Sequence, residues 1–473
     1  MKFMLFAPEL WVLFGSLVLF FVALADGNGR TARFWAALIV VGNIALTSAT
    51  FFLHGDLFQG VYRIDLFSQL FKVLVAFGLG VVVLMNRDLR DVPERIKPEY
   101  YLFLLLSGLG LMMVVSCVEL LSLFVALELS SFALYLLVPM RDDRNALRIQ
   151  MEAASKYILY GVMATGVMLF GMSYLFGLTG TTVLAELLPK LHNIGSQPAA
   201  LVAIMMVLAG FFFKLGLFPF HFWLPDVYQG AANETSAFIA SVPKLAAIAL
   251  LIRIASFLVP EDQSAGLLLG GLAVASMFYG NLLALVQKDL KRLLGFSGIA
   301  HAGYVMLGIV VLKDSGFATA IYYIAGYLIM NLACFLVICN VSTDGGNLQI
   351  DDLSGLYRRA PLLAIVLGVG MFSLAGIPPF VGFMGKFMLL AGALKQGYLV
   401  LVILAAINTA ISIFYYLSVV RVAYCTDPER DDVLPVSFMV KALGVVLVAV
   451  IIVMGVAPAS LVELAQQAVA TIR

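Results

Sequence analysis

Five ionisable residues stand inside apolar runs long enough to cross a bilayer: Glu128, Lys214, Lys244, His301 and Lys386. A charge at that depth costs about 2.5 to 3.5 kcal/mol on insertion scales and marks ion or proton pathways. The sharpest case is FFFKLGLFPFHFWLPD, Phe211 to Asp226. Lys214 lies within the run Ala199 to Leu224, Pro219 follows five residues later, and His221 and Asp226 complete the stretch. Proline cannot donate to the carbonyl four residues back, here Leu215, and clashes with it. One helical turn therefore holds a cation and a freed backbone acceptor. Broken helices survive at membrane depth only where protein or water covers them, and transporters build ion sites at such breaks.

The other four residues fit the same chemistry. Glu128, in FVALELSSFALY, sits about ten residues into its run beside Ser130 and Ser131. An isolated carboxylate there is neutral or paired, and Lys214 is its simplest partner. Lys244 follows Pro243, which frees the carbonyl of Ile239, so the device of Lys214 is repeated. Lys386 ends AGIPPFVGFMGK, where Gly376, Pro378, Pro379, Gly382 and Gly385 dictate a broken helix. His301, in GFSGIAHAGYVMLG, has Ser297 and Tyr304 on neighbouring turns. A lone histidine is as often a hydrogen-bonded core residue, but between lysine-bearing spans a relay role is the better reading. Lys156 and His221 are possible further members; for Lys156, an interfacial pair with Glu152 four residues earlier competes. Lys72 reads as structural, snorkelling or paired with Asp65, and Arg253, Arg421 and Lys441 as snorkelling.

Desolvation favours the neutral form of a lysine and a nearby carboxylate the charged form. A group balanced between the two gains or loses a proton when its partner moves. That is the switching element of a proton pump whose energy comes from elsewhere.

Composition supports this setting. The 473 residues are 62% hydrophobic and 12% charged, with mean hydropathy +1.03, which defines an integral membrane protein. A net charge of +1 gives nucleic-acid binding no electrostatic support. Cys117, Cys334, Cys339 and Cys425 form no CxxC motif or Cys/His cluster, so no disulfide framework, metal site or iron-sulfur ligation is expected. Nor does a glycine-rich phosphate loop follow a strand pattern. The chain is expected to bind no cofactor.

Hydropathy predicts an all-α polytopic fold with fourteen spans: 8–25, 32–53, 66–85, 100–116, 118–139, 151–176, 199–226, 233–259, 264–285, 293–312, 317–340, 361–394, 398–424 and 436–457. The first resembles a signal peptide ending in Ala-Leu-Ala-Asp, but its charge bias is reversed, so a retained helix is expected. Loops on the side of Arg30 hold 15 lysines and arginines against 6 on the other side. The positive-inside rule places those basic loops in the cytoplasm and both termini outside. Thr182 to Leu191 and Leu461 to Ile472 read as amphipathic surface helices. Pro-Phe at 219 and 220 recurs 160 residues later at 379 and 380, a faint internal repeat.

FVALELSSFALYLL, EAASKYILYGVMATGVMLFG, FFFKLGLFPFHFWLPDVYQGA, FSGIAHAGY and LAGIPPFVGFMGKF closely resemble the antiporter-like membrane subunits of NADH:quinone oxidoreductase (respiratory complex I), and most of all the bacterial subunit N family. The resemblance covers essentially the whole chain, including APELW near its start. It implies fourteen helices with two inverted five-helix repeats, broken at helices 7 and 12. It divides the chain into three helices (1–99), a first repeat (100–260), a second repeat (261–424) and a last helix with an amphipathic tail (425–473). By motif match Glu128 and Lys214 resemble the family's coupled pair, Lys244 its central lysine, and Lys386 the residue leading to the outer half-channel. Lysine in the twelfth span is similar to subunit N, whereas the M paralogue usually carries glutamate and the L paralogue has a long carboxy-terminal extension. GAANETSAFI departs from the usual GAPTPVTAFL and introduces Glu234.

The implied function is proton translocation in a bacterial cytoplasmic membrane. Neighbouring antiporter-like and small membrane-arm subunits would be the partners, and other subunits would hold NADH, FMN, iron-sulfur clusters and quinone. An Mrp-type cation/proton antiporter subunit shares the fold, although a sodium site calls for convergent oxygen ligands rather than lysines. The same subunit type in a ferredoxin- or hydrogenase-linked complex, and a scaffold whose charges are internal salt bridges, remain alternatives.

Overall fold

The computed structural model describes residues 2–25, 28–85, 88–142, 148–194, 198–256, 263–427 and 433–472. An N-terminal group comprises α1 (Lys2–Leu5), α2 (Ala7–Leu24), α3 (Gly29–Ala49) and α4 (Leu66–Leu84), with a hairpin of β1 (Gly55–Leu57) and β2 (Tyr62–Ile64) between α3 and α4. There follow α5 (Lys97–Val114), α6 (Leu120–Leu137), α7 (Ile149–Thr179), α8 (Leu184–Ile194), α9 (Pro198–Leu215), α10 (Leu224–Gly230) and α11 (Asn233–Ala255). The remainder is α12 (Gln263–Ala284), α13 (Leu290–Val310), α14 (Asp314–Val341), α15 (Leu356–Arg359), α16 (Pro361–Ala375), α17 (Val381–Lys395), α18 (Leu399–Cys425), α19 (Phe438–Val456) and α20 (Ala459–Ala470).

Among the described residues twelve helices are long and apolar enough to cross a membrane. The chain is a polytopic helical membrane protein. Outside those twelve fall α5, expected as the fourth span, and the divided pair α16 and α17, expected as the twelfth. Residues 257–259, expected to end the eighth span, and the expected repeat boundary at 260 lie outside the described residues. The hairpin was not expected; Gln59 and Gly60 at positive φ turn its chain.

Helices α11, α13 and α14 are almost wholly buried, whereas α2, α3, α18 and α19 turn most of their apolar surface outward. Lipid tails are as apolar as leucine, so membrane helices associate by close packing at small residues. The Cβ of an alanine at Gly303 would lie 2.5 Å from the Ala273 carbonyl oxygen, so α12 and α13 touch backbone to backbone there. The surface helices bury one stripe each: Leu184, Leu187 and Leu191 in α8, and Ala465, Ala468 and Val469 in α20. Helix α20 packs against α14 and α4.

Two of the three expected breaks are present. Helix α9 stops at Leu215 with Gly216 at φ +74°, and α16 stops at Ala375 with Gly376 at φ +88°. Each glycine adopts the left-handed turn that other residues avoid, and each break starts before its prolines: Pro219 in the first, Pro378 and Pro379 in the second. The expectation for Pro243 is corrected, because α11 runs unbroken through it. A proline is tolerated inside a membrane helix where neighbours enclose it, and α11 is packed by α14, α4, α9 and α13.

Candidate functional site

Lys214 occupies the last turn of α9, 5% exposed. Its ammonium donates to Ser131 Oγ at 3.0 Å and approaches Ser130 Oγ at 3.5 Å, both on α6. A hydroxyl can accept from a charged lysine and donate to a neutral one, so these serines suit both states. The direct pair with Glu128 is corrected: among the described residues Glu128 makes no ion pair, and its buried Oε1 has no hydrogen-bond partner. Glu128 lies three residues before Ser131 on α6, the helix that supplies both serine partners of Lys214. The break above Lys214 is closed by Trp223, whose indole N–H donates to the Phe213 carbonyl at 3.1 Å. His221, 1% exposed, stands within this break against the rings of Phe218, Phe222 and Tyr279. Neither of its ring nitrogens has a protein hydrogen-bond partner.

Lys244, 1% exposed on α11, reaches across to α13 and α14. It donates to the Gly298 carbonyl at 3.0 Å and the Tyr327 hydroxyl at 3.3 Å, and lies 5.1 Å from the Tyr327 ring centroid. Gly298 permits the approach, since a Cβ there would lie 2.8 Å from the lysine nitrogen. Tyr228 of α10, buried with an unpartnered hydroxyl, borders Gly298 together with this lysine and Tyr327.

His301 is held from both sides. Its Nδ1 lies 2.6 Å from the Tyr323 hydroxyl and its Nε2 3.0 Å from the Tyr416 hydroxyl. The neutral ring donates through one nitrogen and accepts through the other, so these bonds form a polarised chain that reverses when the tautomer changes. Its ring packs against Tyr327 and Tyr304, with centroids 5.0 and 6.2 Å away, the tyrosines that Lys244 and Lys386 contact in turn. Tyr323 and Tyr327 lie four residues apart on α14 and present one face to this ring.

Lys386 crosses back over the second break. Its nitrogen donates to the carbonyls of Leu374 at 3.0 Å and Ala375 at 3.1 Å, the end of α16, and sits 4.8 Å from the Tyr304 ring centroid. A helix C-terminus offers unpaired acceptors and a negative dipole end. The break thus builds the seat of the lysine. Tyr304 continues outward through its hydroxyl to Thr409 Oγ1 at 2.9 Å. The structure brings together Lys244, His301 and Lys386 through Tyr304, which the sequence placed on a turn next to His301, and through three tyrosines it did not single out: Tyr323, Tyr327 and Tyr416.

A second polar group lies at the basic-loop face. Lys156 pairs with Glu152 at 2.6 Å, as expected, and also with Asp226 at 2.7 Å. Arg292 takes the other oxygen of Asp226 at 2.6 Å. Lys291, counted from sequence as a loop residue, is fully buried and donates to the Ala231 carbonyl at 2.8 Å. Glu234 is buried at 1% exposure in the first turn of α11.

Three other charges pair differently from expectation. Lys72 meets Glu9 at 2.6 Å, both fully buried, rather than Asp65. Asp65 instead pairs with Arg253 at 3.2 Å, and Arg253, 2% exposed, also donates to the Val115 carbonyl at 3.2 Å rather than snorkelling. Such contacts link helices far apart in sequence, so hydropathy alone carries no signal for them. Among the described residues no three His, Cys, Asp or Glu side chains converge as metal ligands.

The family described as "NADH:quinone oxidoreductase/Mrp antiporter, TM" matches residues 117–412. The NADH-quinone oxidoreductase subunit N 2 of Opitutus terrae is 51% identical over 473 residues, covering 100% of this chain and 98% of that one. A chain of respiratory complex I from Thermus thermophilus is similar at 31% identity and TM-score 0.84, covering 96% and 98% of the two chains. A chain of the Mrp complex from Dietzia sp. shares the fold at 21% identity and TM-score 0.89, covering 100% and 98%. The two broken helices, the buried lysines and these full-length likenesses agree: the chain belongs to the subunit N family of antiporter-like membrane subunits of NADH:quinone oxidoreductase.

Proposed function

We propose that this chain is a proton-translocating membrane subunit of an NADH:quinone oxidoreductase. Electron transfer from NADH to quinone in partner subunits supplies the energy, and Glu128, Lys214, Lys244, His301 and Lys386 carry the proton. The observation that supports it most is His301, bonded to tyrosine hydroxyls through both nitrogens and packed against Tyr327 and Tyr304, the rings that the buried Lys244 and Lys386 contact. A scaffold gains little from that arrangement, since well-packed apolar residues replace buried charges at no loss of stability.

In this reading the proton comes from the basic-loop face, the cytoplasm by charge bias. It reaches Lys214 and Lys244 and leaves along Lys386, with Lys156 and His221 at the intake. The regions 100–260 and 261–424 act as two inverted repeats, each with one broken helix. The chain works in a bacterial cytoplasmic membrane beside other membrane-arm subunits, with both termini outside. FMN, iron-sulfur clusters and quinone belong to the partners.

A cation/proton antiporter of the Mrp type is the competing assignment. The buried nitrogens of Lys214, Lys244 and Lys386 line this path with donors, while sodium needs oxygen acceptors converging on one point. Acidification of inverted membrane vesicles during NADH oxidation distinguishes the two. The proton reading expects the same initial rate with and without sodium, whereas loss of acidification in sodium-free buffer overturns it.

A further inference from the structure

Helix α10 is seven residues long, too short to hold its place by its own hydrogen bonds. Polar groups clasp it at its carboxy-terminal end. Arg141 donates to the Gln229 carbonyl at 3.0 Å, Asn347 to the same oxygen at 2.9 Å, and Lys291 to the Ala231 carbonyl at 2.8 Å. At its other end one side chain does the holding. Asp226 gives Oδ2 to Lys156 of α7 at 2.7 Å and Oδ1 to Arg292 of α13 at 2.6 Å.

The two bonds differ in how easily they break. Lys156 has a second carboxylate already in contact, Glu152 at 2.6 Å, so it leaves Asp226 without losing its charge partner. Arg292 also touches Gln229 Oε1 at 3.1 Å, within α10 itself, and so stays with the helix. Asp226, Lys156 and Arg292 are 25%, 38% and 31% exposed. Ion pairs with that much solvent are weak, so exchange between partners is cheap. The buried relay charges have no such freedom.

What Lys156 does is felt at Lys214. The next residue, Tyr157, stacks on Trp223 with ring centroids 4.6 Å apart, and Trp223 holds the carbonyl of Phe213, the residue before Lys214. Lys156 and Tyr157, adjacent on α7, therefore tie that helix to α10 twice, by the ion pair to Asp226 and by the stack on Trp223.

We propose that Asp226 is a positioning residue, the latch of the intake gate. Paired with Lys156 it keeps α10 and Trp223 closed over Lys214; when Lys156 moves to Glu152, water from the basic-loop face reaches the break. The inference rests on the proton-relay reading and adds to it the site where access is controlled. Around this ion group Glu152 contacts Lys156, Gln229 contacts Arg292, and Asp289 contacts Gln229.

The test uses the assembled complex in membranes carrying Asp226→Asn, with Lys156→Gln and Lys214→Met alongside. Quinone-reductase turnover per assembled complex is measured from mildly acidic to mildly alkaline buffer. Proton uptake limits turnover most where protons are scarce, so an intake gate that has lost its latch is expected to cost Asp226→Asn several-fold more turnover in alkaline than in acidic buffer. Lys156→Gln, which leaves the Arg292 bond intact, is expected to distort the same pH profile. Parental profiles in both variants overturn the latch. If Asp226→Asn fails to assemble, the profile of Lys156→Gln decides alone. A failed latch with Lys214→Met inactive leaves the relay standing, whereas an active Lys214→Met removes the reading beneath both.

Discussion

The pair Glu9–Lys72 separates charges that hold the bundle from charges that work in it. Its members are fully buried and 2.6 Å apart, with the Tyr62 hydroxyl donating to the same Glu9 oxygen at 2.7 Å. Lys72→Met leaves a carboxylate inside the bundle with one hydroxyl donor, and Glu9→Gln leaves an ammonium with no counter-charge. Breaking a buried pair from one side costs about 3 to 5 kcal/mol, whereas replacing both partners by neutral residues of similar volume is about neutral. At about 1.4 kcal/mol per factor of ten, each single variant loses roughly two to three orders of magnitude in the stability of the N-terminal unit. The double variant Glu9→Gln/Lys72→Met recovers it. The assay is the amount of intact complex on native gels, followed by quinone-reductase turnover per assembled complex. The reasoning expects scarce complex for both single variants, and near-parental amount and turnover for the double. Single variants that assemble normally would refute it. A double variant that assembles but turns over slowly would move this pair from scaffold to mechanism.

Gly376→Ala places a Cβ 3.0 Å from Lys386 Cδ on a backbone at φ +88°, so a strain of about 1 to 3 kcal/mol is expected with displacement of Lys386 from the α16 carbonyls. Proton pumping should fall more than the amount of complex, as read by vesicle acidification against native gels. Tyr416→Phe removes one hydroxyl from His301 and leaves its Nε2 without a partner, a cost of about 1 to 3 kcal/mol. Assembly should survive while turnover drops by about tenfold or more, and Tyr323→Phe should match it because it cuts the same chain on the other side. Unchanged turnover in both would remove the tyrosines from the path.

Much of the fold was legible because hydropathy reports span length directly, and because glycine and proline mark breaks by their backbone geometry. The two lysine-bearing breaks were readable for that reason. Pro243 misled because the rule that proline interrupts a helix holds where water competes, and α11 is enclosed by other helices. Depth in a span identified Glu128, Lys214, Lys244, His301 and Lys386 as buried or half-buried, but not their partners. Those partners lie 83 residues from Lys214, 54 from Lys244 and 115 from His301. A tyrosine in an apolar run looks like core packing until the facing helix is known. Lys291 was hidden by its neighbours Lys288 and Arg292, which made it look like part of a basic loop.

The central claim is that buried lysines pass protons in step with electron transfer. It is tested most directly by the proton-to-electron ratio of membranes carrying Lys214→Met, once intact complex has been confirmed. The account predicts that turnover and pumping collapse together, because Lys214 links the Glu128 region to the rest of the line. Parental turnover with an unchanged ratio would contradict it and leave Lys214 a structural charge held by Ser131.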